Sequence, residues 1–224
     1  MTGRGPKSED TLYDNVGLLD RSQPTMTRLS LLRPHELDTK QRALYEAIIG
    51  GRRTSGHQHF SLRYDDGSLA GPFNALLHAP VVGARLSSLG EAIRFDTGLE
   101  DREREIAILA VAASRHASYE WYAHERVGRA CGLTDEEIEG LRRGNGDMLH
   151  GGREALVGLV AATLASGRPL DDALYGRLVD ELGDTGVVEL VILVGYYVML
   201  ATVLEAFAVG VPEGDDPFGG EDRT

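Results

Sequence analysis

The 224-residue sequence is poor in the groups that carry redox and polyanion chemistry. Its single cysteine, Cys131, can form no intramolecular disulfide and supports no dithiol mechanism. It has no excess of positive charge either: the sequence contains 23 lysines and arginines and 35 aspartates and glutamates, which gives a net charge of −12. Nucleic acids and anionic membrane surfaces attract basic proteins, so neither is expected as a partner.

Long hydrophobic segments are also missing. The longest uncharged apolar run covers residues 190–204, which is shorter than the roughly 20 residues that a membrane-spanning helix needs. We interpret it as a buried helix. Residues 1–10 are polar and lack the apolar core of a signal peptide. The sequence therefore predicts a cytoplasmic protein that has no membrane partner.

The composition divides the chain into a central domain and two tails. Residues 1–28 show no sustained hydrophobic periodicity, and residues 212–224 combine acidic side chains with glycine and proline. Both segments are predicted to be disordered. Residues 29–211, with ordinary proportions of apolar and charged residues, are predicted to form a single folded domain.

Most of this domain has the hydrophobic spacing of α-helices. Asp38 with Gln41 and Thr134 with Glu137 have the spacing of capping boxes at helix starts. With few strand signals, the apolar stripes must pack helix on helix, which predicts an all-α, single-domain bundle of seven or eight helices. The predicted helices are residues 38–49, 80–95, 100–114, 119–131, 134–141, 153–165, 171–182 and 187–209.

Two segments suggest more than packing. Residues 50–71 are rich in glycine and contain Asp65-Asp66-Gly67, typical of a short hairpin turn. A loop of this length is either a cover for an active site or a plain excursion. Residues 187–209 are apolar on nearly all sides, as in a helix at the centre of a bundle or in a subunit interface. This pattern favours a homo-oligomer.

The residues best suited to catalysis lie in the helix predicted at 119–131. Glu120, His124, Val127 and Cys131 share one face, and the last two are apolar, so this face should point inward. A buried carboxylate one turn from an imidazole orients it and favours its protonated form. This arrangement suits acid/base catalysis. The alternative is a simple ion pair at the surface or in an interface.

Other chemistry finds less support. His116, Glu120 and His124 are spaced four apart, but the two histidines are about 12 Å apart along a helix and cannot share one metal ion. No phosphate-binding loop, dinucleotide fingerprint or serine-nucleophile motif occurs. We therefore expect neither a metal nor a cofactor. Cys131 is predicted to act as a small buried hydrophobe, and Trp121 and Tyr122 as core or interface residues.

Several blocks of sequence resemble the carboxymuconolactone decarboxylase family, whose superfamily includes alkyl hydroperoxidase D. They are the run REIAILAV at 104–111, YEW at 119–121 followed by His124, and GLTDEEI at 132–138. The segments 71–80, 188–190 and 195–197 look like one subgroup, and the resemblance spans about residues 33–212. It implies an all-helical fold that assembles as trimers or hexamers, with active sites near subunit interfaces.

The same resemblance implies roles for individual residues. The glutamate and the histidine of the peroxidase branch fall on Glu105 and His124, whereas its two cysteines fall on Ala117 and Glu120. Thiol peroxidase activity is therefore disfavoured. The decarboxylase branch needs no cofactor: by analogy, His124 donates a proton or stabilises an oxyanion, while Glu120 and Glu105 orient it and set its charge. Otherwise, Glu105 is only an exposed first-turn glutamate.

A carboxylated substrate also needs groups that bind it. Arg33 is a candidate cation, Asn74 and His78 are candidates for the pocket lining, and Tyr196 is a candidate that points into the same cavity. Each has a structural alternative: Asn74 and His78 as caps of the helix beginning near Pro80, and Tyr196 as a core residue.

Three functions therefore remain open. The first is a cofactor-free, decarboxylase-like lyase or related acid/base enzyme that acts on a small carboxylated or lactone-type molecule. The second is a hydroperoxide-reducing protein, which the single cysteine disfavours. The third is a non-catalytic, oligomeric ligand-binding protein, because a fold alone does not define an activity.

Overall fold

The computed structural model describes residues 27–55, 58–144, 149, 152–212 and 216–219. Within this part of the chain the protein is all-α, as predicted, with two short 3-10 helices and eight α-helices. The α-helices are α1 (Thr39–Gly50), α2 (Pro72–His78), α3 (Pro80–Phe95), α4 (Asp101–Arg115), α5 (Ser118–Ala130), α6 (Asp135–Arg142), α7 (Gly152–Ala165) and α8 (Asp172–Ala206).

Local side-chain chemistry sets several of the helix starts. At α1, the Asp38 carboxylate accepts hydrogen bonds from the backbone N–H groups of Lys40 and Gln41, and the Gln41 side chain accepts from the Asp38 N–H. At α6, Thr134 and Glu137 form the same reciprocal pair. Both capping boxes predicted from the sequence are therefore confirmed.

Helix α4 lies at the centre of the domain. Every residue from Glu103 to Ala112 is buried, and the helix packs against α5, α6, α7 and α8. Its apolar residues form the main core with those of α7 and α8. Because polar side chains on such a helix are removed from water, each requires a partner within the protein.

Helix α8 contains both of the helices predicted at 171–182 and 187–209. The two parts meet at a kink at Gly183, where a φ of +66° interrupts the helical backbone within the predicted gap. It is the one helix in the described part of the chain whose length and hydropathy would suit a membrane span, and 50% of that apolar window is buried within the protein. Core helices meet the same criteria, and Leu190, Leu193 and Leu200 are indeed buried.

The segment before α3 differs most from the prediction. Residues 72–78 form helix α2, which the sequence interpretation missed. The expected hairpin is reduced to one antiparallel bridge between Arg63 and Leu69, closed by the turn at Gly67. Gln58, His59, Phe60 and Leu62 line the cavity described below, so this segment forms part of the cavity wall.

Parts of both predicted tails are attached to the domain. Residues 1–26 lie outside the described part of the chain, but Arg28 donates a backbone hydrogen bond to the Phe207 carbonyl at the end of α8. Phe218 is buried and contacts Trp121 edge to face, with 5.5 Å between ring centroids. Phe218 thus packs against the domain, although the sequence predicted a disordered segment at residues 212–224.

Candidate active site

Helices α4 and α5 bring a histidine between two glutamates. His124 Nδ1 lies 2.7 Å from Glu105 Oε2, and His124 Nε2 lies 3.5 Å from Glu120 Oε2. Glu120 comes from the same helix one turn earlier, whereas Glu105 reaches across from α4. The packing of α4 on α5 thus brings Glu105 and His124 into contact.

All three side chains are secluded from water. The side chain of Glu105 has no exposed surface, and those of Glu120 and His124 are each 6% exposed. Oxygen Oε1 of each glutamate is buried without a hydrogen-bond partner among the described residues. Unpaired buried carboxylate oxygens cost free energy, and functional sites are where such a cost is retained. The arrangement is not the surface ion pair of the alternative interpretation.

Burial also changes the acidity of the site. It raises the pKa of Glu120 to about 6, with the negative charge of Glu105 adding to the effect and His124 opposing it. A carboxyl group with a pKa of about 6 has the acidity that suits a general acid or base. Tyr197, whose ring contacts His124 edge to face at 5.1 Å, has a pKa raised well above the usual value by burial.

Glu120 and His124 face a small cavity of about 70 Å³. One wall comes from α5 and α8, another from α3, and the third from the segment that precedes α2. The lining residues are Arg53, Gln58, His59, Phe60, Leu62, Pro72, Phe73, Gly90, Arg94, Tyr119, Glu120, Ala123, His124, Val127, Tyr196, Tyr197 and Leu200. A buried acid/base pair beside apolar and cationic groups is typical of a small-molecule site.

Of the predicted binding residues, the structure places only Tyr196 at this cavity. Arg33, in the chain segment that precedes α1, is instead exposed and pairs with Glu36 and Asp66. The structure therefore does not place this predicted substrate-binding cation at the cavity.

Asn74 and His78 likewise do not line the cavity. Their side chains hold the extended segment before α1: the Asn74 amide donates to the Ser30 carbonyl and accepts from the Leu32 N–H, and His78 Nε2 lies 2.9 Å from the Ser30 carbonyl. Both have a structural role, though they anchor a neighbouring segment and do not cap α3.

Three functional candidates escaped the sequence interpretation, namely Arg53, Arg94 and Tyr197. The sequence did contain a signal for Tyr197, because this residue follows Tyr196 in a helix predicted to be buried and lies one helical turn after Leu193. The arginines had none, because they lie in a short 3-10 helix and on the polar side of α3, far from Glu120 in sequence. Only the tertiary fold brings them to the cavity.

Two glycines let aromatic side chains reach the site. A Cβ on Gly71 would lie 2.2 Å from the Tyr119 ring, and one on Gly90 would lie 2.2 Å from the Tyr196 hydroxyl. Gly71 also has a φ of +60°, which disfavours any other residue. The close approach of both tyrosines to the backbone therefore depends on glycine.

Cys131 lies at the C-terminal end of α5, where it is partly buried. Burial raises its pKa, and the charge of Glu105 adds to this effect. Because the thiolate is the nucleophile, this environment makes the thiol less reactive. In the described ranges, no group of three or more histidine, cysteine, aspartate or glutamate side chains has the geometry to hold a metal ion.

The described residues thus form an all-helical fold in which a buried carboxylate–imidazole cluster faces a small cavity. Residues 80–163 match the model of the carboxymuconolactone decarboxylase family. The structure is similar to a crystal structure from Ralstonia eutropha JMP134, described as an alkylhydroperoxidase AhpD core and an uncharacterized peroxidase-related protein. The TM-score is 0.68 and the identity 14%, over 88% of this chain and 96% of that one. No curated protein sequence matches.

These findings confirm the resemblance noted in the sequence. The chain is similar in sequence to the carboxymuconolactone decarboxylase family over residues 80–163, and its fold is similar to that of the alkylhydroperoxidase AhpD core. The family match covers α3, α4, α5, α6 and nearly all of α7, and thus includes all three acid/base residues. At 14% identity, the structural likeness defines the fold and not the reaction.

Proposed function

We propose that the protein is a cofactor-free acid/base enzyme of the decarboxylase type that acts on a small carboxylated or lactone-type molecule. The observation that carries this proposal is the position of His124, held between two buried carboxylates beside a cavity. A scaffold or plain binding protein gains nothing from burying two carboxylates with unpaired oxygens, because such groups destabilise the fold.

The chemistry follows from the geometry. In the proposed reaction the bond between the substrate carbon and its carboxylate breaks, carbon dioxide leaves, and the electron pair spreads onto an adjacent carbonyl. His124 or Glu120 then gives a proton to that carbon and regains one from solvent. Glu105, bonded to Nδ1, fixes the ring so that Nε2 lies toward Glu120. The pKa of Glu120, about 6, suits this exchange.

The test is release of carbon dioxide from a panel of carboxylated lactones and enoyl acids. The His124→Gln variant should fold and lose at least about 100-fold in kcat, the lower end of what a positioned acid/base group contributes. His35→Gln, a change at an exposed histidine, is the matched control and should keep full activity. Full turnover by His124→Gln on an identified substrate would refute the assignment.

The two other functions have less support. The raised pKa of Cys131 and its lack of a second cysteine oppose thiol-dependent peroxide reduction. Hydroperoxide reduction that disappears when Cys131 is alkylated would revive it. A non-catalytic ligand-binding role predicts a closed cavity or exposed, unpaired acid/base residues, whereas His124 is buried and contacts one oxygen of each glutamate.

A further inference from the structure

We propose that Arg53 and Arg94 bind a carboxylate group of the substrate in the cavity and thereby select anionic molecules. This inference rests on the proposed function, since it concerns the same cavity, and it adds specificity residues that the sequence did not indicate. Both arginines line the cavity that Glu120 and His124 face.

Arg53 is fixed in place without being neutralised. Its Nη2 donates to the Ser87 carbonyl at 2.9 Å and its Nη1 to the Ser87 hydroxyl at 3.3 Å. The guanidinium carbon lies 5.7 Å from the centroid of the Phe73 ring. These partners are uncharged, so they orient the planar group and leave its positive charge available.

Arg94 is likewise unneutralised. Across the ranges that the structure describes, neither Arg53 nor Arg94 has a carboxylate within 4 Å. By contrast, Arg102 and Arg153, which also reach into the protein, bind the buried Glu137 and Glu103. Arg52, the neighbour of Arg53, pairs with Asp96. Partly buried arginines in this protein therefore usually find an acid, and the two at the cavity do not.

The cavity is also lined by a carboxylate that does not pair with these arginines. Glu120 has an unpaired, buried Oε1, yet no ion pair joins it to either arginine. Tyr196 and Tyr197 line the same cavity. Burial raises the pKa of both tyrosines and the charge of Glu120 adds to this effect, whereas Arg53 opposes it at Tyr196 and Arg94 opposes it at Tyr197. Cations and acid thus line one small cavity without pairing with each other, which leaves the arginines available for the carboxylate of an anionic ligand.

Gly90 makes this arrangement possible. A Cβ at this position would lie 2.7 Å from Arg53 Nη2 as well as 2.2 Å from the Tyr196 hydroxyl. The Tyr196 hydroxyl donates to the Leu86 carbonyl at 3.2 Å, one residue before the carbonyl that binds Arg53. Because Gly90 has no side chain, the Arg53 guanidinium and the Tyr196 phenol both lie close to the backbone of α3 at this residue.

The experiment compares an acid with its neutral analogue. Binding of 5-oxotetrahydrofuran-2-carboxylate and of the corresponding carboxamide is measured by calorimetry for the wild-type protein and for Arg53→Gln and Arg94→Gln. Because charge-assisted hydrogen bonds are the stronger ones, each substitution should weaken binding of the acid at least about tenfold and leave binding of the carboxamide within about twofold.

Matched controls separate this site from its surroundings. Arg52→Gln removes a neighbouring cation that pairs with Asp96 outside the cavity, and it should leave binding of the acid within about twofold. If Arg53→Gln does not fold, as judged by thermal unfolding, Arg53→Lys serves instead. It retains charge without the planar fork and should bind the acid more weakly than the wild type.

Several results would overturn the inference. They are the absence of any wild-type preference for the acid over the carboxamide, an equal loss of both ligands in the arginine variants, or an equal effect of Arg52→Gln. The readout is binding, so it is independent of turnover. If the acid binds through both arginines while no carboxylated lactone releases carbon dioxide, the anion site stands and the decarboxylase proposal fails. If turnover exists and its KM is unchanged in both variants, the anion site fails.

Discussion

Glu120→Gln is expected to remove a measurable part of the pH dependence of stability. The variant keeps the size and the hydrogen-bonding capacity of the side chain but cannot ionise. In the wild-type protein, burial raises the pKa of Glu120 from 4.5 to about 6. The groups that face it are His124, Glu105, Tyr119, Tyr196 and Tyr197, and the tyrosines, with raised pKa values, do not ionise in the acidic range.

The sign of the effect follows from proton binding. Between pH 4.5 and 6, Glu120 has lost its proton in the unfolded chain and keeps it in the folded protein. The unfolded state then binds fewer protons, so the free energy of unfolding falls as pH rises through this window and levels off above it. The shift of about 1.5 pKa units corresponds to a loss on the order of 2 kcal/mol.

Urea unfolding followed by circular dichroism at pH 4 and pH 7.5 measures this difference. The wild-type protein should lose on the order of 2 kcal/mol more than Glu120→Gln between the two values. Glu46→Gln, which removes one exposed carboxylate on α1, controls for the change in net charge. If wild type and Glu120→Gln show the same pH dependence, Glu120 is not held in a desolvated site and the reasoning fails.

Two further predictions concern packing. Gly71→Ala should destabilise the protein by at least about 2 kcal/mol, because the new methyl group meets the Tyr119 ring and φ is positive. The control is Gly167→Ala, where φ is also positive but the space is open, and it should cost about 1 kcal/mol. Chemical denaturation measures both losses, and equal losses would contradict the steric argument. Ile192→Glu, on the exposed apolar side of α8, should dissociate the homo-oligomer that we propose, as measured by light scattering. A wild-type monomer would refute the oligomer. An unchanged oligomer in the variant would exclude this surface as its interface.

The sequence was most informative where structure is local. Capping boxes and apolar spacing predicted α1 and α6 closely, because those signals act within one helix. Helix α2 was missed because it is short and lies between glycine and proline residues, which are typical of loops. The kink of α8 at Gly183, where φ is +66°, falls in the gap between the helices predicted at 171–182 and 187–209, so here too the local signal was informative.

For the candidate site, the sequence predicted the carboxylate–imidazole cluster but not the arginines that we propose bind the substrate. Glu120 and His124 share one helix face, so spacing alone placed them together. Glu105 needed the family resemblance together with the packing of α4 on α5. The cavity arginines are separated from that pair in sequence, and Arg33 was chosen for its apolar surroundings in the sequence, whereas Asp66 pairs with it at the surface. Long-range approach of side chains is set by the tertiary fold.

The most direct test of the central claim follows the proton itself. With a substrate identified by release of carbon dioxide, the reaction is run in deuterium oxide and the product is examined by mass spectrometry and NMR. The account predicts one deuterium on the former carboxyl-bearing carbon in a single stereochemical configuration, and loss of this enzyme-catalysed incorporation in His124→Gln. Incorporation by His124→Gln at the wild-type rate, or racemic labelling by the wild-type protein, would contradict proton delivery by the residues of this site.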